Sequence, residues 1–288
     1  MMRHLKTSEA AALLGVSPNT LRAWERRFGF PQPQRSPGRH RMFTHGEIAA
    51  LRDALQDGLS ISSAVSRARE GLAGDSGSLV GALVSFERER ADAILEATLA
   101  LRSLERSVQE VVLPTLDEVI ERTGSDSAGW AFAVRWAGDW LRRARRLAPP
   151  PSRPGWVLIG EATSDELDAD APYVRALELF LARAGLEVLS LPARSVVGLS
   201  DLVATRPPAV AILAGARLDD DGVARWAYAM RPAGQIALAV YRRSDRRGGR
   251  MPELPRDPAA AQRRVLEITA GEPLPAAVAA AVGRAGIG

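Results

Sequence analysis

The sequence predicts a multidomain chain. An all-α winged helix-turn-helix is expected over residues 1–71, a four-helix bundle over 78–148, and an α/β Rossmann-like (flavodoxin-like) parallel-sheet domain over 154–288. Three observations predict this. Two short capped helical segments followed by a basic Pro-Gly turn open the chain. A long stretch with helical apolar spacing follows. After the stiff run PPPSRP, short apolar strands alternate with amphipathic helices.

The first segment, Thr7 to Leu14, is apolar-rich and stops at Gly15, a residue suited to the left-handed turn after a helix. Ser17 directly precedes Pro18, an N-cap followed by proline at the first helical position. The second helix is expected from Pro18 to Phe28, with Leu21 and Trp24 turned toward the first helix. Asn19, Thr20, Arg22, Glu25, Arg26 and Arg27 are left to point outward. The N-terminal residues of the second helix of a helix-turn-helix approach base edges in the major groove. Arginine can pair bidentately with guanine and asparagine with adenine, so Asn19, Thr20 and Arg22 are the candidate base readers. GFPQPQRSPGRHRMFT then sets Arg35, Arg39, His40 and Arg41 around Pro37-Gly38, a turn signal whose flanks suit a two-stranded wing. THGE reads as a capping box between Thr44 and Glu47, with Ile48, Leu51 and Leu55 at helical spacing behind it. Ser60 opens a further helix with Ile61, Ala64 and Val65 apolar.

This order of elements resembles the DNA-binding domain of the MerR family of transcription regulators. TLRAWERRFGFP, the wing and GEIAAL carry the resemblance, within the first 71 residues. It looks closest to the branch of light-sensing, cobalamin-dependent repressors of the CarH and LitR kind. In the wing, the usual Tyr-Arg-Tyr-like run stands here as Arg41-Met42-Phe43. The resemblance implies double-stranded promoter DNA as partner and a homo-oligomer on repeated half-sites.

Composition sets the outer limits. The 46% hydrophobic content is enough for buried cores, and the chain has no cysteine, so disulfides, thiolate metal sites and cysteine nucleophiles are excluded. No apolar run reaches the length of a membrane span and no signal-peptide core is visible, so a cytoplasmic protein is expected. The net charge is +4, while residues 1–71 hold 11 Arg and Lys against 6 Asp and Glu. That excess of five exceeds the charge of the whole chain, so the basic footprint lies at the DNA-reading end.

Gly71 to Ser78 reads as a flexible linker by composition. Helices are expected over 79–86, 88–101, 103–122 and 126–147, with a kink at Pro114 and an aromatic stripe Phe132, Trp136, Trp140 in the bundle core. Arg142, Arg143, Arg145 and Arg146 close the last helix, where cations favour the dipole. Beyond the Pro-rich run, GWVLIGEA, LEVLSLPA, AVAILAGA and QIALAVYR are strands. YVRALELFLARAG, SDLVATRP and DDGVARWAYAMRP are helices between them, and one or two more amphipathic helices follow Pro255.

A helical bundle followed by such a domain resembles the cobalamin-binding module of the same repressors. In them the loop after the first strand carries DxHxxG, whose histidine coordinates cobalt. Counting back from Gly185, the matching positions are Asp168 to Tyr173, with Asp170 in place of the histidine and Tyr173 in place of the glycine. The only histidines, His4, His40 and His45, precede the module, so imidazole ligation by it is excluded. The tryptophan expected over the cofactor falls on Thr123, the Glu-His pair falls near Ala133 and Val134, and the glycine pair at the fourth strand is Tyr241-Arg242. Loss of cobalamin is therefore expected, with no cofactor and no metal.

Three readings of the C-terminal half remain. It binds another small molecule at the strand ends, where Glu161, Thr163, Asp165, Asp168, Asp170 and Tyr173 would form an acidic crevice. Alternatively it serves oligomerisation or a protein partner, or it is an enzyme. Against an enzyme, no Cys or His nucleophile-base pair, GxSxG, Walker loop or dinucleotide fingerprint occurs after the DNA-reading end. The expectation is a DNA-binding regulator with no catalytic residues.

Overall fold

The computed structural model describes residues 4–35, 41–165, 167–234, 236–243 and 251–271. The chain divides into two compact units, Met1–Gly124 and Ser125–Gly288. The division falls within the helical stretch expected over 78–148.

In the first unit, β1 (His4–Lys6) runs into α1 (Thr7–Leu13), then α2 (Pro18–Phe28), β2 (Gln34–Arg35), β3 (Arg41–Thr44) and α3 (His45–Gln56). Gly15 has φ +66° and Gly29 has φ +60°, the left-handed values that the two helix ends require. Ser17 Oγ accepts the Thr20 N–H at 3.1 Å, so α2 starts on the predicted cap with Pro18 at its first position. The small antiparallel sheet has order β1-β3-β2. Its first strand escaped the sequence reading, because three residues carry no period and pair only with a distant partner, Leu5 opposite Phe43. Leu5, Ala10, Leu21, Phe43 and Ile48 form one fully buried core, each large side chain contributing roughly 1.5–3 kcal/mol.

α4 (Ile61–Val84) follows the Ser60 cap and passes without a break through the expected linker at 71–78. That expectation is corrected. Its glycines lower helix propensity, but Ala64, Val65 and Ala68 before the stretch and Leu79, Val80 and Leu83 after it are buried, and packing at both ends outweighs propensity. α5 (Arg88–Leu101), α6 (Leu104–Ser107) and α7 (Leu113–Thr123) complete the unit. Between the last two, Val108–Val112 forms a π turn, closed by Leu113 N–H donating to the Val108 carbonyl. Pro114, expected as a kink, has no N–H to give a regular helix, and the wide turn lies just ahead of it.

The second unit opens with α8 (Ala128–Arg146). Its deepest stripe is Trp130, Ala133, Val134, Ala137 and Leu141, which are buried in a face that packs on α9 (Ala171–Arg183). The predicted stripe is corrected: Trp136 is buried, but Phe132 and Trp140 stay partly exposed. The strands are β4 (Trp156–Glu161), β5 (Glu187–Pro192), β6 (Val210–Ala214) and β7 (Ala237–Tyr241), all parallel in the order β5-β4-β6-β7. α10 (Leu199–Thr205) and α11 (Asp220–Ala229) cover one face through Leu158, Leu213 and Trp226. α9 and α12 (Pro258–Thr269) pack together and contact the sheet at β5 and β6. Two chain directions diverge from β4, first to β5 and then to β6, and open sheets of this kind leave a crevice beyond the strand ends at that point. Any helix after residue 271 lies outside the described residues.

Candidate nucleic-acid interface and ligand crevice

On α2, Asn19, Arg22 and Arg26 recur at i, i+3 and i+7 and are all exposed, which places them on one face. Leu21, fully buried, and Phe28, partly buried, hold the opposite face. Arg22 Nη1 donates to Asn19 Oδ1 at 3.0 Å, so two of the three candidate base readers are already joined. Thr20 is partly buried, and its hydroxyl lies 2.8 Å from Ser17 Oγ, in the cap rather than on the open face. The Arg27 guanidinium stacks 5.2 Å from the Phe28 ring centre. Arg41 does not stand free beside the wing. Its Nε donates to Glu25 Oε2 at 3.1 Å, tying β3 to α2. The Arg35 side chain, and Arg39 and His40 altogether, lie outside the described residues.

Glu47 departs most from its expected local role. Its carboxylate is fully buried, accepts the Gln32 N–H at 3.2 Å, and forms an ion pair with Arg106 Nη1 of α6. Arg106 also donates through Nε to Glu110 at 2.7 Å. Burial opposes the guanidinium charge, but Glu47 and Glu110 more than offset this and hold its pKa above the ordinary arginine value. The side chain read as a helix cap thus joins the chain entering the wing to a helix 59 residues further on.

In the second unit, a cavity of about 280 Å³ lies between α8 and the carboxyl ends of the strands. Val134, Arg135 and Arg142 line one side, and Glu161, Thr163, Asp165 and Arg175 the other. Of the six residues expected to form an acidic crevice, only Glu161, Thr163 and Asp165 are in this lining. Asp168 turns back to accept the Ser164 and Asp170 N–H groups at 2.8 and 3.0 Å. Asp170 is buried and accepts the Arg243 N–H at 3.2 Å. Burial pushes its carboxyl pKa up and Asp168 adds to this, while Arg243 and Arg242 act the other way. Tyr173 is buried beneath Arg256, whose Nη2 donates to its hydroxyl at 3.0 Å. The expected acidity of the mouth is corrected: loop carboxylates close on backbone N–H groups, and Glu161 is paired with Arg175 at 2.9 Å.

Sequence reasoning also missed Glu178. It is buried under α8 and paired with Arg145 at 2.9 Å and Arg175 at 3.2 Å. Arg145 reads as a dipole cation, yet it also donates to the Val188 carbonyl at 2.8 Å and so anchors α8 to β5. The only sequence signal was a glutamate three residues after Arg175 in the largely apolar run YVRALELFLAR. Among the described residues no group of His, Asp and Glu is placed to hold a metal ion, and no helix is long and apolar enough to cross a membrane.

A family model described as "MerR family regulatory protein" matches residues 6–43. The chain is similar to the HTH-type transcriptional repressor CarA of Myxococcus xanthus, 30% identical over 228 residues, covering 72% of this chain and 75% of that protein. It is 28% identical over 143 residues to the HTH-type transcriptional repressor CarH of the same organism, covering 42% of this chain and 48% of CarH. Over 57 residues it is 40% identical to the HTH-type transcriptional regulator MlrA of Escherichia coli (strain K12), covering 19% of this chain and 24% of MlrA.

Proposed function

This chain belongs to the MerR family of transcriptional regulators and is similar to the CarA and CarH repressors. From that premise we infer that it reads promoter DNA through α2 and the wing, in the cytoplasm, as a homo-oligomer on repeated half-sites. The observation that carries this is the exposed face Asn19–Arg22–Arg26, opposite a buried Leu21 and set by the Ser17 cap. Asn19 and Arg22 read base edges. Arg26, Arg27, Arg35, Arg39, His40 and Arg41 serve the phosphate backbone or the wing that reaches it. Nothing in this role calls for catalysis.

The C-terminal half, whose four-stranded parallel sheet and flanking helices suit a Rossmann-like domain, serves regulation or assembly. Its residues do not fit cobalamin. Asp170 occupies the expected histidine position and is hydrogen-bonded inside the fold. Tyr241 is buried where a glycine would admit the nucleotide tail, and its hydroxyl donates to the Arg256 carbonyl at 3.0 Å.

A salt titration of binding to duplex DNA tests the reading. Affinity falls steeply on log–log axes, by about 0.9 in slope per phosphate contact. A helix-turn-helix used only for docking a protein would leave no saturable DNA binding to titrate.

A further inference from the structure

A second cavity, of about 430 Å³, opens beyond the carboxyl ends of β4, β5 and β6. It shares Glu161, Thr163 and Ser164 with the first but is bounded on its far side by Arg194, Arg217 and Arg225. These arginines come from three separate segments: the loop after β5, the loop after β6, and α11. All three are exposed. None of their guanidinium groups has an ion pair or hydrogen bond among the described residues, whereas Arg175 and Arg206 are ion-paired. An unpaired arginine is ordinary on a surface, but three converging on one concavity repel each other unless an anion joins them.

The segments that carry them are fixed. Ala193 N–H donates to the Glu161 carbonyl at 2.7 Å, and Arg217 N–H to the Ala162 carbonyl at 3.1 Å. The buried Trp226 donates through Nε1 to the Ala193 carbonyl, at 2.6 Å, from beneath. The carboxylates in the lining are committed. Glu161 is paired with Arg175 and accepts the Thr163 hydroxyl at 2.8 Å, and Asp219 Oδ1 accepts the Gly222 N–H at 2.6 Å. Asp220 and Asp221 are exposed in the first turn of α11 and do not line the cavity.

We propose that this cavity binds a small polyanionic metabolite bearing phosphate or carboxylate groups, held by Arg194, Arg217 and Arg225. The planar guanidinium fork matches both groups bidentately, and the volume lies within the span of small-ligand pockets. A concavity of this size suits a compact molecule rather than the side of a DNA duplex. The proposal rests on the reading of the C-terminal half as a regulatory module, and it names the chemistry of the effector.

The test titrates the full chain, without DNA and at fixed ionic strength, with sodium pyrophosphate and separately with citrate, by calorimetry. Saturable binding of pyrophosphate assigns the site to phosphate groups, and of citrate to carboxylates; either supports the proposal. Arg217→Ala/Arg225→Ala then weakens binding by about tenfold or more, and the independent variant Arg194→Glu does the same. The charge-matched double Arg90→Ala/Arg122→Ala, in the other unit, leaves it unchanged. The proposal is overturned if neither anion saturates, if the cavity variants bind like the parent, or if the control double loses as much. Anion binding with unaltered DNA affinity would sustain the site and remove its regulatory role, so the two readings fail separately.

Discussion

A guanidinium already joined to a neighbour loses less rotational freedom on docking than a solvated one. In the proposed role, Arg22, held by Asn19 at 3.0 Å, is thus poised for a base edge, while the Arg41 Nε is engaged by Glu25. Arg22→Ala is expected to cost about 1–3 kcal/mol at one base position and relax preference there. Arg41→Ala frees the wing from α2 and weakens all sequences alike. Fluorescence anisotropy on cognate and scrambled duplexes separates the two effects. The buried pair makes a stability prediction. Arg106→Ala leaves the Glu47 carboxylate buried against Gln32 N–H with the Arg106 guanidinium removed, at a cost of about 3–5 kcal/mol. Urea unfolding checks this, and a loss under about 1 kcal/mol contradicts it. Asp170 acts in the opposite sense. Its carboxyl pKa is raised in the fold by burial, so the folded chain binds that proton more tightly than the unfolded chain. The resulting penalty is complete above the folded pKa and vanishes below the unfolded one. Asp170→Asn should therefore be more stable than the parent at neutral pH, and thermal melts of the two should converge on acidification.

At the scale of elements, Gly160 shows why β4 can lie so close to α11. A Cβ there would sit 2.6 Å from Trp226 Cζ2 and 2.7 Å from Leu213 Cδ2. Gly160→Ala is expected to cost about 1–3 kcal/mol by overpacking, read as a lower melting temperature with DNA affinity kept. The start of helix α2 was legible because its cap and its proline are local signals, borne out at Ser17 and Pro18. The strands of the parallel sheet were legible because each is a short apolar run between turn residues. What escaped depended on distant partners. α4 crosses a glycine-rich stretch between packed ends, β1 exists only against β3, and Arg145 and Glu178 find each other across 33 residues. A sequence window reads the first as linker, the second as nothing, and the third as surface charge.

At the scale of the whole molecule, the positive excess lies within residues 1–71, and the second unit contributes an arginine-rimmed cavity of its own. The exposed face Asn19–Arg22–Arg26 of α2 was legible from residue types and helical spacing alone. The crevice was not, because which carboxylates remain open depends on loop hydrogen bonds such as those of Asp168 and Asp170. The central claim is that α2 of this MerR-family chain reads sequence. The most direct measurement selects a preferred duplex from random DNA with the full-length protein. It then compares affinity for that duplex and for its scramble, in the parent and in Arg22→Ala, at one salt concentration. The account predicts a clear preference in the parent, reduced roughly tenfold or more in the variant through the selected duplex alone. Equal losses on both duplexes, or no preferred sequence at all, would contradict it.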